Sequence, residues 1–306
     1  MRISTKSINQ KIKSDVTDFI EKSDRSFHKQ VKETVNTIAN DSENSPIILL
    51  SGPSGSGKTT TALTIESILD RMGYETHTIS MDNYFVPLSD EERVKLANGE
   101  LDLESPTRVD TDLLNSQLQD MLDNKKVELP KFNFKNNTRE KSGIFLERKK
   151  NELILLEGIH ALNPDVVQID DDATFTVYVS VRTRVKSDDC LLHPSLIRLL
   201  RRMLRDKNFR SREIKGTLEM FNSVQLGEQR YIAPYKYRAD FDIDTFFAYE
   251  MSVYKKFLYD DLQKLSGDKR IDDILSVMNE IEIINKEKID KNALIREFIG
   301  DSAFKY

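Results

Sequence analysis

Apolar residues enter this chain in short bursts. Residues 47–50 (IILL) and 153–156 (LILL) are unbroken, and Phe175, Val177, Val179 and Val181 recur at every second position. Unbroken runs of this length fit strands covered on both faces of a parallel sheet. Residues 76–80 and 241–247 complete the predicted strands. Ile65, Ile68, Leu69 and Met72 fall at helical spacing and stop at Gly73, suited to the left-handed turn that ends a helix. Strands alternating with helices predict an α/β fold: a doubly wound, mostly parallel sheet flanked by helices. Ligands of such sheets bind beyond the carboxyl ends of the strands.

Three segments depart from that alternation. Residues 1–45 carry weak helical spacing (Val16, Phe19, Ile20, then Val31, Val35, Ile38) and end in a polar run, NDSENS. They read as a helical N-terminal extension docked on a main domain of residues 46–306. Residues 127–147 hold alternating Phe132 and Phe134, a polar turn at Asn136 and Asn137, and a returning apolar run, which predicts a β-hairpin inserted in the α/β frame. Residues 270–306 read as a helical tail. No apolar stretch reaches the roughly 18–20 residues of a membrane helix, and the N-terminus has no apolar signal core, so the cytoplasm is the default reading.

The sharpest chemical signal is GPSGSGKT, from Gly52 through Ser54, Gly55, Ser56, Gly57 and Lys58 to Thr59, with Thr60 following. Its glycines let successive backbone N–H groups point into one concavity that holds phosphate oxygens. Lys58 then reaches the outer phosphates of ATP, and the Thr59 hydroxyl reaches Mg²⁺. A strand before it and an amphipathic helix after it supply the context of a P-loop NTPase fold. Asn-Lys-x-Asp and Leu-Ser-Gly-Gly motifs are absent, which points away from GTPases and transporters and towards a kinase.

Two acids fall at strand ends. Asp82 follows the strand at 76–80; a carboxylate there can take the proton of an attacking hydroxyl or hold Mg²⁺ through water. Glu157 ends the run LILLE and is placed to orient Mg²⁺. An arginine-rich helix over residues 197–213 has Ile197, Leu200 and Leu204 on one side and Arg198, Arg201, Arg202, Arg205, Arg210 and Arg212 around it. It reads as a lid that neutralises charge on a triphosphate. His160 reads as structural.

With 306 residues the chain suits one large α/β domain plus a small appendage. A net charge of −5 argues against a nucleic-acid binder. The single cysteine, Cys190, excludes an internal disulfide and a multi-cysteine zinc site.

The order of motifs resembles the uridine kinase family, relatives of phosphoribulokinase, across about residues 46–250: GPSGSGKTT, SMDNYF, LDLESPTRVDTDLL, VELPKFNFKNNTR, LILLEGIHAL, RRMLRDKNFRSR and KYRAD. The closing LIREFIGDSAF resembles the tail of longer bacterial nucleoside kinases. The resemblance implies transfer of the ATP γ-phosphoryl group to the 5′-hydroxyl of uridine or cytidine. Asp82 would be the base, with Lys58 and Arg205 on the transferred group and Thr59, Asp82 and Glu157 serving the metal. Glu104 stands where an acid holds ribose hydroxyls. Tyr84, Phe132, Phe134 and Asn137 would line the nucleoside, and Arg202, Arg210 and Arg212 would close the lid and the substrate edge. Phe132 and Asn137 replace the family's usual Tyr and His, so another small alcohol, a sugar or polyol, is an alternative acceptor. A non-catalytic nucleotide sensor is a further alternative. The expected partner is a small acceptor, with no nucleic acid and no membrane; the sequence leaves a homo-oligomer open.

Overall fold

A computed structural model of the chain describes residues 1–98, 100–134 and 136–305. Lys135 of the expected hairpin and Tyr306 of the expected tail lie outside them. In chain order the elements are β1 (Arg2–Ser4), α1 (Thr5–Asp41), β2 (Ile47–Ser51), α2 (Lys58–Arg71), β3 (Thr76–Ser80), α3 (Asp90–Ala97) and α4 (Thr111–Leu122). Next come β4 (Lys126–Asn133), β5 (Thr138–Glu147), β6 (Leu153–Glu157), β7 (Thr174–Ser180), β8 (Arg184–Lys186) and β9 (Leu191–Leu192). The chain finishes with α5 (Pro194–Phe209), α6 (Ile214–Tyr231), β10 (Phe241–Asp244), α7 (Glu250–Gln263), α8 (Lys269–Glu280) and α9 (Arg296–Ile299).

The central sheet has the strand order β10-β7-β2-β6-β3, and every pairing in it is parallel. Strands β2, β6 and β7 are buried at every position, which is why they read as unbroken apolar or β-branched runs. Successive side chains serve opposite faces. Ile48, Leu50, Leu153, Leu155 and Val177 pack with α2, α5 and α7, while Ile47, Leu49, Ile154 and Leu156 pack with α4. The sheet therefore has helices on both sides, and its carboxyl ends carry the loops after β2, β3 and β6.

The N-terminal helix belongs to the first of these faces. Its apolar residues Phe19, Ile20, Phe27, Val31, Val35 and Ile38 join the same core as Ile48 and Val177. At Asp15 the backbone leaves helical geometry, and the Asp15 carboxylate accepts the N–H groups of Thr17 and Asp18, capping the longer second part. Strands β4 and β5 form the antiparallel hairpin, with an irregularity between Glu128 and Pro130 where proline offers no N–H.

Candidate active site

The turn at residues 52–57 links β2 to α2. Gly55 (φ +77°) and Gly57 (φ +85°) hold the left-handed backbone that the turn needs. Gly57 precedes α2 and has no side chain of its own to cap it, and of the first N–H groups of Lys58–Arg71 that of Thr60 is taken by the Glu297 carboxylate. The Ser56 hydroxyl is buried without a partner among the described residues. Donors converging on a concavity beside orphaned hydroxyl and guanidinium atoms fit a polyphosphate.

Lys58 stands at the mouth of this turn, and its Nζ donates to Pro53 O at 3.4 Å. Burial pushes its ammonium below the ordinary range. Glu157, Asp82, Glu297 and Glu104 pull it back up, in that order of strength, so all four carboxylates act on one lysine. Glu157 is 7% exposed and accepts the Ser80 hydroxyl at 2.8 Å. Burial lifts its carboxyl to about 7 against the pull of Lys58, and Asp82 adds to the rise. Asp82 lies in a single 3₁₀ turn directly after β3, where the chain leaves the sheet. Thr59, Asp82 and Glu157 together offer the hard oxygen donors that suit Mg²⁺.

The arginine segment forms α5 and lies across the phosphate turn. Arg198 Nη1 donates to Ser54 O at 3.1 Å, and Arg202 Nη1 donates to the Ser54 hydroxyl. Burial and the neighbouring Arg205 bring Arg202 down to about 10, and its Nε has no partner among the described residues. Arg205 donates to Asp206 Oδ1 at 3.2 and 3.3 Å, and Arg210 and Arg212 stand 3.9 and 3.8 Å from the same carboxylate. Asp206, fully buried and also bonded by Thr217, therefore gathers these three guanidinium groups.

Arg201 does not belong to the lid. Its side chain is wholly buried, donates to both oxygens of the equally buried Glu250 at 2.8 and 3.1 Å, and reaches Gly55 O at 3.3 Å. Burial would lower its pKa, but the Glu250 carboxylate more than offsets this and holds it above the ordinary range. The arginine-rich helix is thus part structural brace.

Glu104 has a buried Oε2 without a partner among the described residues; burial raises its pKa while Arg202 and Lys58 pull it down. Gly227 of α6 lies so close that a Cβ there would sit 2.3 Å from Glu104 Cβ. Phe85, Phe132 and Phe134 form an edge-to-face cluster with ring centroids 5.1–6.1 Å apart. Phe132 is buried, with its N–H donating to Asn83 Oδ1 at 3.2 Å, whereas Phe134 is exposed. The Asn137 Nδ2 is buried and unpartnered among the described residues. Tyr84 corrects the expectation that it lines the nucleoside: it is fully buried in the core, and its hydroxyl donates to Gln117 Oε1 at 2.8 Å. Its phenol is spent on packing.

Sequence reasoning missed Phe85, Asp206, Glu250 and Glu297. Phe85 stands beside the flagged Asp82 in SMDNYF, and Glu297 lies in the flagged segment LIREFIG; those were the available signals. His160 is 1% exposed and sits edge-on to Tyr231 at 6.4 Å; burial lowers its pKa to about 4, so its ring is neutral at pH 7.

Comparisons with known proteins bear on the family and the fold. A uridine kinase of Ligilactobacillus salivarius is 33% identical over 203 residues, covering 65% of this chain and 84% of that protein. A uridine kinase of Halobacterium salinarum is 30% identical over 192 residues, covering 62% and 76%. The solved structure of a candidate fructose transport system kinase from Silicibacter sp. TM1040 shares the fold, with TM-score 0.54 and 15% identity over 69% of this chain and 98% of that one. No helix among the described residues is long and apolar enough to cross a membrane. The model of the phosphoribulokinase/uridine kinase family matches residues 47–251, from the strand before the phosphate turn to the helix that bears Glu250, and the chain belongs to that family of P-loop kinases.

Proposed function

We propose that the protein transfers the γ-phosphoryl group of ATP to the 5′-hydroxyl of a nucleoside, uridine or cytidine in the first instance. The observation that supports this reading is that Asp82, just after β3, and Glu157, at the end of β6, act electrostatically with Glu104 on Lys58 at the start of α2. Asp82 accepts the proton of the acceptor hydroxyl as its oxygen bonds to the γ-phosphorus and the bond to the β–γ bridging oxygen breaks, releasing ADP. Lys58 and the arginines that Asp206 gathers meet the charge on the transferred group. Glu104 accepts hydrogen bonds from sugar hydroxyls through the oxygen that has no partner among the described residues. Thr59, Asp82 and Glu157 would hold Mg²⁺, which neutralises phosphate charge when bound.

A second reading, phosphorylation of a sugar or polyol, takes support from the base-facing wall. Phe132 has no side-chain donor or acceptor, and the Phe85–Phe132–Phe134 cluster offers stacking rather than base-edge hydrogen bonds. Purified protein with ATP, Mg²⁺ and a panel of nucleosides, sugars and polyols separates the two. Release of ADP in step with a nucleoside 5′-monophosphate supports the first. Turnover of a sugar or polyol with silence across every nucleoside rejects it in favour of the second.

A further inference from the structure

The end of the chain reaches into the phosphate turn. Glu297 Oε2 accepts the Thr60 hydroxyl at 2.6 Å and the Thr60 N–H at 3.3 Å. Thr60 lies in the first turn of α2, whose outward N–H groups are the ones a phosphate would use. The carboxylate therefore already holds donors of the nucleotide cradle.

Its placement is enforced from several sides. Leu294 is buried against Gly57, where a Cβ would come within 2.7 Å of Leu294 Cδ2. Phe298 is fully buried with the Arg201 guanidinium 5.2 Å from its ring centroid, and Phe298 O accepts Asn208 Nδ2 of α5 at 3.0 Å. Arg296 ties the segment to itself, donating to the carbonyls of Lys286 at 2.9 Å and Ile289 at 2.6 Å. Glu297 is consequently delivered to α2 by a packed support.

A carboxylate and a phosphate oxygen are both anionic acceptors, so they cannot share the same N–H and hydroxyl without strong repulsion. We propose that Glu297 is an internal competitor for the nucleotide's phosphate: it occupies the Thr60 donors until a nucleoside di- or triphosphate displaces its side chain, and so sets the protein's affinity for nucleotide. The idea rests on the phosphate turn being the nucleotide site and is independent of which acceptor is phosphorylated.

The test is calorimetric titration of the full chain with MgADP and with a non-hydrolysable MgATP analogue. Wild type is compared with Glu297→Gln, Glu297→Ala, Lys58→Ala and the exposed-site control Glu287→Gln, each checked for an unchanged melting midpoint. Removing the charge at 297 should tighten both nucleotides by about tenfold, since charge-assisted hydrogen bonds carry energies of that order. Glu287→Gln should bind as wild type does. Equal or weaker binding by both Glu297 variants, with wild-type binding present and lost in Lys58→Ala, overturns the competitor while leaving the nucleotide site intact. Absence of nucleotide binding by wild type and variants alike overturns both.

Discussion

Replacing Glu250 by Gln is the most direct probe of how the phosphate turn is held. Arg201 and Glu250 have no exposed side-chain surface, so neither can recover water when its partner changes. Among the described residues the remaining hydrogen-bond partners of Arg201 are carbonyl or hydroxyl oxygens, namely Thr245 O at 2.5 Å, Thr245 Oγ1 at 3.4 Å and Gly55 O at 3.3 Å. None of them carries a compensating charge. Glutamine keeps the shape and leaves a buried guanidinium unneutralised, a change that costs about 3–5 kcal/mol. For a domain of this size that corresponds to about 5–8 °C in melting temperature. Nucleotide affinity should fall as well, because the Thr245 hydroxyl that Arg201 steadies donates to Ser56 O at 2.6 Å inside the turn. Differential scanning calorimetry of wild type and Glu250→Gln, with and without MgADP, reads both effects. A melting temperature within about 2 °C of wild type would refute the reasoning, since it would mean that the pair's charge is not needed in the folded chain.

Three further outcomes follow from the site and its surroundings. Asp82→Asn should lower turnover by about 10²–10⁴ with ADP affinity largely kept, and near-normal turnover would remove Asp82 as the base. Glu157, lifted to about 7, is protonated below that pH, so turnover at sub-saturating Mg²⁺ should climb as pH rises through about 7. Saturating Mg²⁺ should move this limb to lower pH, because a cation favours the charged carboxylate; a flat profile between pH 6 and 8 counts against it. Asp24 is lifted from 3.8 to about 6 by burial, against the pull of the Tyr249 hydroxyl that it accepts at 2.6 Å. A raised carboxyl favours the folded state below the unfolded pKa, and that advantage is lost as pH climbs through about 6. Asp24→Asn should therefore gain about 2–3 kcal/mol on wild type at pH 7.5 and little at pH 4, as read from urea midpoints.

Much of the frame was legible because its signals are local. Strands buried on both faces have to be apolar throughout, so β2 and β6 announced themselves, and the helix stop at Gly73 shows as a left-handed glycine (φ +94°). The phosphate turn was legible for the same reason: its glycines, lysine and hydroxyl residues act within one loop. Other features are written only in distant pairs. Glu297 meets Thr60 across 237 positions, and Arg201 meets Glu250 across 49, too far apart in sequence for either residue to point to its partner. Charge counting also misjudged α5, because a sequence shows which residues are arginine but not which are buried. Arg198, Arg201 and Arg202 are each no more than 5% exposed. Tyr84 misled for a related reason, since a tyrosine beside a catalytic loop can spend its hydroxyl on the neighbouring helix, as this one does on Gln117.

The long first helix has a bearing on how the chain may be cut. The match to the family model begins at residue 47, yet the seam laid down by Phe19, Phe27, Val31 and Val35 covers the same side of the sheet as Ile48 and Val177. A polypeptide started at the border of kinship would bare that oily seam to water and invite clumping. Where resemblance begins and where self-sufficient folding begins are thus separate places in this protein, and trimming to the former would forfeit the latter.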